Sequence, residues 1–174
     1  DADSRMRIYE GPLGKAIIVL LCVWTAFQLY FTTIGAISAI NLRAIHCIFL
    51  LLFTFLLFPT YKKEKRRRKI PPIWDWVFIL GSIGSFTYLI LNYTRIAQTG
   101  GRISDMEVGI ALVAIVCVFE AARRASGNLA ILAAVFLAYN WFGAYLPGYF
   151  GHNGFTLKRV LITQFWGTQG VLGT

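Results

Sequence analysis

Charged residues are scarce in this sequence. Only 14% of its 174 residues are Asp, Glu, Lys or Arg, whereas 57% are hydrophobic. A soluble domain usually contains about 25% charged and about 45–50% apolar residues. This scarcity of charge argues against a soluble domain and predicts a chain that is largely surrounded by lipid.

Side chains that carry out chemistry are also few. The sequence has eight acidic residues and two histidines, and it contains no H-E-x-x-H, G-x-S-x-G or Walker motif. Its three cysteines, Cys22, Cys47 and Cys117, lie singly within apolar runs, so we expect buried thiols rather than a metal site or disulfides. The sequence therefore predicts no enzyme activity, no catalytic or metal-binding residue and no cofactor.

Five apolar runs are close to the length that crosses a bilayer, which is about 20 residues for a helix. Backbone groups in lipid must pair within their own segment, so these runs should be helical. The sequence predicts an all-α integral membrane protein, a bundle of about five transmembrane helices. Ser104 or Asp105 is expected to cap the fourth helix. The runs are residues 16–37, 40–58, 73–93, 106–122 and 129–146.

The end of the sequence has a different pattern. After the glycine-rich residues 146–154, Thr156 is a candidate helix cap, and Leu157, Leu161 and Phe165 are spaced to share one helical face. This pattern predicts a short amphipathic or half-buried C-terminal helix.

The cations are concentrated in the segment 61–72, which we call the basic loop. Cytoplasmic loops carry excess Lys and Arg. With five spans and this loop in the cytoplasm, twelve of the seventeen cations and the N-terminus lie inside. The loop either anchors this topology or binds anionic lipid or a regulatory partner, and nucleic acid is not expected to bind. Its cations are Lys62, Lys63, Lys65, Arg66, Arg67, Arg68 and Lys69.

Five ionisable residues lie within or beside the predicted spans, where charge is costly and raises a functional hypothesis. Glu120 precedes Arg123 and Arg124 by three and four residues, which predicts an ion-paired helix end or an anion or partner contact. Arg43 and His46 are three residues apart near the outer end of the second span. Two roles for His46 are open: a structural role as a hydrogen-bonded histidine, and a role in sensing pH.

Several short motifs resemble, in order and spacing, the start of fused permeases of the tripartite ATP-independent periplasmic (TRAP) transporters, above all the TAXI subfamily. The likeness runs from about Tyr9 to Thr174. The motifs are FQLY at 27–30, R-x-x-H at 43–46, FP at 58–59, EAARR at 120–124 and LPG at 146–148.

The resemblance implies a secondary transporter that is driven by a sodium or proton gradient and fed by a periplasmic substrate-binding protein. Residues 1–15 would be a cytoplasmic segment and 16–105 a small-subunit-like membrane scaffold. Residues 106–174 would be a helical pair and amphipathic segment leading into a larger transport domain that is not in this chain. The ion and substrate sites of the family belong to that domain, so no such residue is assigned here.

The expected function is therefore that of a membrane scaffold in a bacterial inner membrane. Its expected partners are the larger transport domain, the periplasmic binding protein and membrane lipids. The alternative is a non-transporting membrane adaptor or assembly subunit, which would recruit lipid or a cytoplasmic partner through the basic loop.

Overall fold

The computed structural model describes residues 6–35, 37–61, 70–100 and 102–173, and the backbone alone for 67–68. Five helices occupy the five predicted apolar runs, so the all-helical class is confirmed. In chain order the described elements are β1 (Ile8–Tyr9), α1 (Pro12–Ile34), α2 (Ala39–Leu57), β2 (Arg67–Arg68), α3 (Ile73–Gln98), α4 (Asp105–Ala125), α5 (Gly127–Phe142) and α6 (Leu157–Leu161).

Helix α1 begins and ends at residues that suit helix termini. Pro12 occupies the first turn, where its missing N–H is not needed. At the other end, Gly35 adopts the left-handed conformation with φ 66° and donates its N–H to the Phe31 carbonyl at 3.1 Å. A residue with a Cβ would be strained in that conformation. The 23 residues of α1 span about 35 Å, enough to cross a hydrocarbon core of about 30 Å.

Four helices are long and apolar enough to cross a membrane. Helix α4 is not one of them, because its five charged residues leave no 18-residue stretch with fewer than three charges. The membrane character of the chain is thus supported, and the number of spans stays a prediction. The four segments are Pro12–Ile34, Ala39–Leu57, Ile73–Gln98 and Gly127–Tyr145.

The chain divides into two compact units, and the division falls inside α3 between Ile90 and Leu91. The boundary after residue 105 that the family resemblance implies stays a prediction. In the first unit, aromatic side chains fill the core: Phe55 of α2 stacks on Phe78 of α3 with ring centroids 5.2 Å apart, and Phe86 is fully buried.

A parallel pair of two-residue strands also lies in the first unit. Ile8 of β1 pairs with Arg67 of β2, and Tyr9 pairs with Arg68. The sequence gives no sign of this pair, because two residues are too few to show an alternating pattern. It connects the N-terminal segment to the basic loop.

In the second unit, α4 packs against α5 and α6. The packing face of α4 includes the small buried residues Ala111, Ala114 and Ala121. After α6 the helix widens into a π-helical turn over Ile162–Trp166. Phe165 and Leu161 are buried, but Leu157 is 44% exposed. Leu157 is the first residue of α6 and precedes the widened turn, so the buried part of the predicted face consists of Leu161 and Phe165.

Candidate functional site

A buried ion pair joins the N-terminal segment to the start of α3. Arg7 and Asp75 have side chains with no exposed surface, and the Nη1 atom of Arg7 donates to Oδ2 of Asp75. The same Nη1 atom also lies 3.2 Å from the Phe55 carbonyl and 3.5 Å from the Leu56 carbonyl of α2. One guanidinium therefore contacts both α2 and α3.

The N-terminal segment also supplies hydrogen bonds to the end of α2. The backbone N–H of Arg7 donates to the Leu57 carbonyl at 2.7 Å, and the Tyr9 hydroxyl donates to the Leu56 carbonyl at 2.7 Å. The last carbonyls of a helix have no partner within the helix. Residues 7–9 therefore act as a C-terminal cap for α2, and the Thr60 hydroxyl adds a 3.4 Å bond to Asp75. We call Arg7, Tyr9 and Asp75 the N-terminal clamp.

Sequence reasoning missed the clamp. In the sequence, Arg7 is one of the twelve cations predicted to lie inside, and Asp75 is a charge at the edge of the third predicted span. The available signal was a single carboxylate in the first turn of an apolar helix, because such a charge needs a partner when it is buried. The sequence does not show which cation that partner is.

Most of the basic loop lies outside the described residues. This applies to Lys62, Lys63, Lys65, Arg66 and Lys69, while Arg67 and Arg68 are described only as the backbone of β2. The roles predicted for these cations in topology or lipid binding therefore stay predictions.

His46 links α2 to α1. Its Nδ1 atom lies 2.5 Å from Nε2 of Gln28, and its ring lies 5.3 Å from the Trp24 ring. Two of the motifs that carry the family resemblance thus meet here, FQLY through Gln28 and R-x-x-H through His46. The contact favours a structural role for His46. Arg43 is half-buried on the same helix, and no sequence pattern indicated that Gln28 lies beside His46.

Glu120 contacts both arginines that follow it. Its Oε2 atom accepts from Nε of Arg123 at 2.7 Å, and its Oε1 atom accepts from Nε of Arg124 at 2.7 Å. The Arg124 side chain is fully buried, whereas that of Arg123 is 49% exposed. Of these two arginines, Arg123 is thus the better placed to meet an anion or a partner, while Arg124 is buried beside Glu120 of its own helix.

A second pair near the start of α4 was not predicted. Glu107 is almost fully buried, and it accepts a hydrogen bond from Nη2 of Arg95 in α3. It also closes a capping box: Ser104 accepts from the Glu107 N–H at 3.3 Å, and Glu107 accepts from the Ser104 N–H at 2.6 Å. Ser104 is therefore the cap, and the signal for Glu107 was the spacing Ser-x-x-Glu.

At the surface of the second unit, Lys158 donates to Oδ1 of Asp105 at 2.8 Å. The hydrogen bond from the Lys158 ammonium, aided by its positive charge, lowers the pKa of the Asp105 carboxyl below its ordinary value. Both side chains are mostly exposed, so solvent screens this pair and its contribution to stability is small.

Within the described ranges, His, Cys, Asp and Glu side chains form no group of three that is suited to a metal ion. The polar contacts of the chain instead tie helices and helix ends together. Comparisons with models of protein families, with curated proteins and with solved structures gave no match to this chain.

Proposed function

We propose that this chain is the membrane scaffold part of a secondary, ion-gradient-driven TRAP-type solute transporter that works with a periplasmic substrate-binding protein. The observation that carries the proposal is the exposure of its apolar helices. In the most apolar 18-residue stretch of α1, only 6% of the residues are buried within the chain. In the corresponding stretch of Gly127–Tyr145, 11% are buried. Such faces need lipid or further helices to cover them.

The internal polar contacts support a static role. The N-terminal clamp and the Gln28–His46 contact hold helix ends and helix pairs in fixed positions. A scaffold that braces moving transport helices requires such rigidity.

In this role the chain lies in a bacterial inner membrane, with five spans and a cytoplasmic N-terminus. Residues 1–15 lie inside, residues 16–105 form the scaffold, and residues 106–174 lead toward the transport domain. The sodium or proton site and the substrate site belong to that domain. What supports the orientation is the concentration of cations in the basic loop.

Photocrosslinking tests the scaffold role in membranes of the source organism. A photoreactive residue at Val19 or Val23, both exposed on α1, should crosslink to helices of a transport domain, on this chain or another, identified by mass spectrometry. The same residue at buried Ile17 is the matched control and should not. Lipid adducts alone at Val19 and Val23, with no transport helix, would contradict the proposal.

The adaptor role is the second candidate, because seven cations lie between residues 62 and 69. Copurification distinguishes the two roles. If the chain is an adaptor, a cytoplasmic partner should copurify with the full-length chain in stoichiometric amount and should be lost when these cations are replaced by Gln. A complex with transport helices that survives the same replacements favours the scaffold role.

A further inference from the structure

A cavity of about 450 Å³ lies between β1 and the first turns of α1, with Leu57 of α2 at its edge. Clefts of about 300–1,000 Å³ with mostly apolar walls are typical of small-ligand sites. Gly14 helps to shape this cavity. A Cβ at Gly14 would come within 2.3 Å of the Tyr9 carbonyl oxygen, so a residue other than glycine would push β1 away from α1.

The walls of the cavity are apolar and its charge is positive. Ile17, Ile18 and Leu21 line it along α1, and Ile18 is 62% exposed. Among the described residues that line the cavity, Arg7 and Lys15 are cationic and none is acidic. Arg7 is buried against Asp75, so among the described lining residues Lys15, which is exposed, is the cation that a ligand can reach.

The position of the cavity indicates what kind of molecule reaches it. It lies where α1 begins and α2 ends, at the ends of two helices that are long and apolar enough to cross a membrane. The backbone of Arg67 in β2 pairs with Ile8, a lining residue, so β2 runs beside one wall of the cavity. The described part of the cavity combines apolar walls with an exposed lysine at a helix end. This combination suits an anionic lipid headgroup and the start of its acyl chain.

We infer that this cavity binds one anionic phospholipid. An acyl chain lies against Ile18, Leu21 and Leu57, and the phosphate lies against the ammonium of Lys15, which binds phosphate as a point charge. Lipid binding here does not depend on the transporter proposal, because its basis is the cavity, its charge and its position at the ends of two apolar helices.

Native mass spectrometry of the full-length chain in a neutral detergent tests the site. Titration with phosphatidylglycerol should show one tightly bound lipid, and phosphatidylcholine should bind more weakly. Lys15→Gln should weaken phosphatidylglycerol binding about fivefold, because a Lys near anionic lipid contributes about 1 kcal/mol. Lys158→Gln removes an exposed lysine of the second unit and should leave binding unchanged.

Two further measurements separate other sources of binding. Ile18→Trp places a bulky ring in the cavity at an exposed position. It should therefore weaken the binding of both phosphatidylglycerol and phosphatidylcholine without unfolding the chain. Glycerol phosphate, which lacks acyl chains, should not compete. Three results would each overturn the inference: no bound phosphatidylglycerol, effective competition by glycerol phosphate, or binding that only replacement of the basic-loop cations reduces.

Discussion

The charge of Asp75 is buried together with the charge of Arg7. Asp75→Asn keeps the size of the side chain but leaves the guanidinium without this carboxylate. Loss of one partner from a buried ion pair costs about 3–5 kcal/mol. We therefore expect Asp75→Asn to lower the free energy of unfolding by about 3–5 kcal/mol, measured by denaturant titration of the full-length chain in detergent.

Asp105→Asn is the matched control for this substitution. Asp105 is 94% exposed where it contacts Lys158, so its replacement should not change the unfolding midpoint measurably. The double replacement of Arg7 by Met and Asp75 by Leu should recover part of the lost stability, because it leaves no unpaired charge. Equal midpoints for Asp75→Asn and the unmodified chain would show that the buried pair does not stabilise the fold.

Gly143 lies against the side chain of His152. A Cβ at Gly143 would come within 2.1 Å of Nε2 of His152, which itself lies 3.1 Å from the Tyr139 carbonyl. Gly143→Ala should therefore displace the imidazole and release the segment 146–155, which limited proteolysis would detect as faster cleavage there.

Gly127→Ala is the control for this experiment, since nothing lies within 4 Å of a Cβ at that position. It should leave cleavage of segment 146–155 at the rate of the unmodified chain. If Gly143→Ala gives that same rate, the contact with His152 does not restrain the segment.

Single residues were predictable from the sequence where their partners are close along the chain. The Ser104 cap and the contacts of Glu120 with Arg123 and Arg124 follow from spacings of three and four residues on a helix. The contact between Arg7 and Asp75 joins residues 68 positions apart. No periodic pattern connects such residues, because their proximity depends on how α2 and α3 pack.

At the scale of elements, the length and apolarity of the five runs were enough to predict five helices. Helix α3 extends to Gln98, five residues beyond the predicted end at 93. Its last turns are polar and therefore did not look like part of a membrane span. They stay helical with Arg95 in contact with the buried Glu107, a contact that depends on the position of α4.

The capping box of α4 gives a prediction about this element. Ser104→Ala removes the hydroxyl that accepts from the Glu107 N–H, and loss of a serine cap costs about 1 kcal/mol. We expect a decrease of about 1 kcal/mol in the free energy of unfolding. Ser126→Ala should have little effect, because Ser126 precedes α5 without a capping side-chain hydrogen bond. Equal losses for the two variants would contradict the role of the capping box.

At the scale of the whole molecule, the number of spans depends on α4. If α4 crosses the membrane, Gln98 before it and Asn128 after it lie on opposite sides; if it does not, they share a side. We propose five spans and expect a cysteine at 98 to react with a membrane-impermeant reagent added outside, and one at 128 to be protected. Cys22, Cys47 and Cys117 are replaced by Ala in this background. Equal labelling of both sites from outside would contradict a crossing by α4.

The basic loop should decide which side of the membrane each helix end faces. Moving Lys and Arg to the outer side is unfavourable during insertion, and this loop holds seven of the seventeen cations. Replacement of all seven by Gln should therefore give a mixed population, in which the cysteine at 98 is only partly labelled from outside.

Replacement of Arg102, Lys158 and Arg159 by Gln is the control, because these three cations belong to the proposed outer side. Their loss should leave position 98 fully labelled. Full labelling after loss of the basic-loop cations would mean that the apolar helices themselves set the orientation.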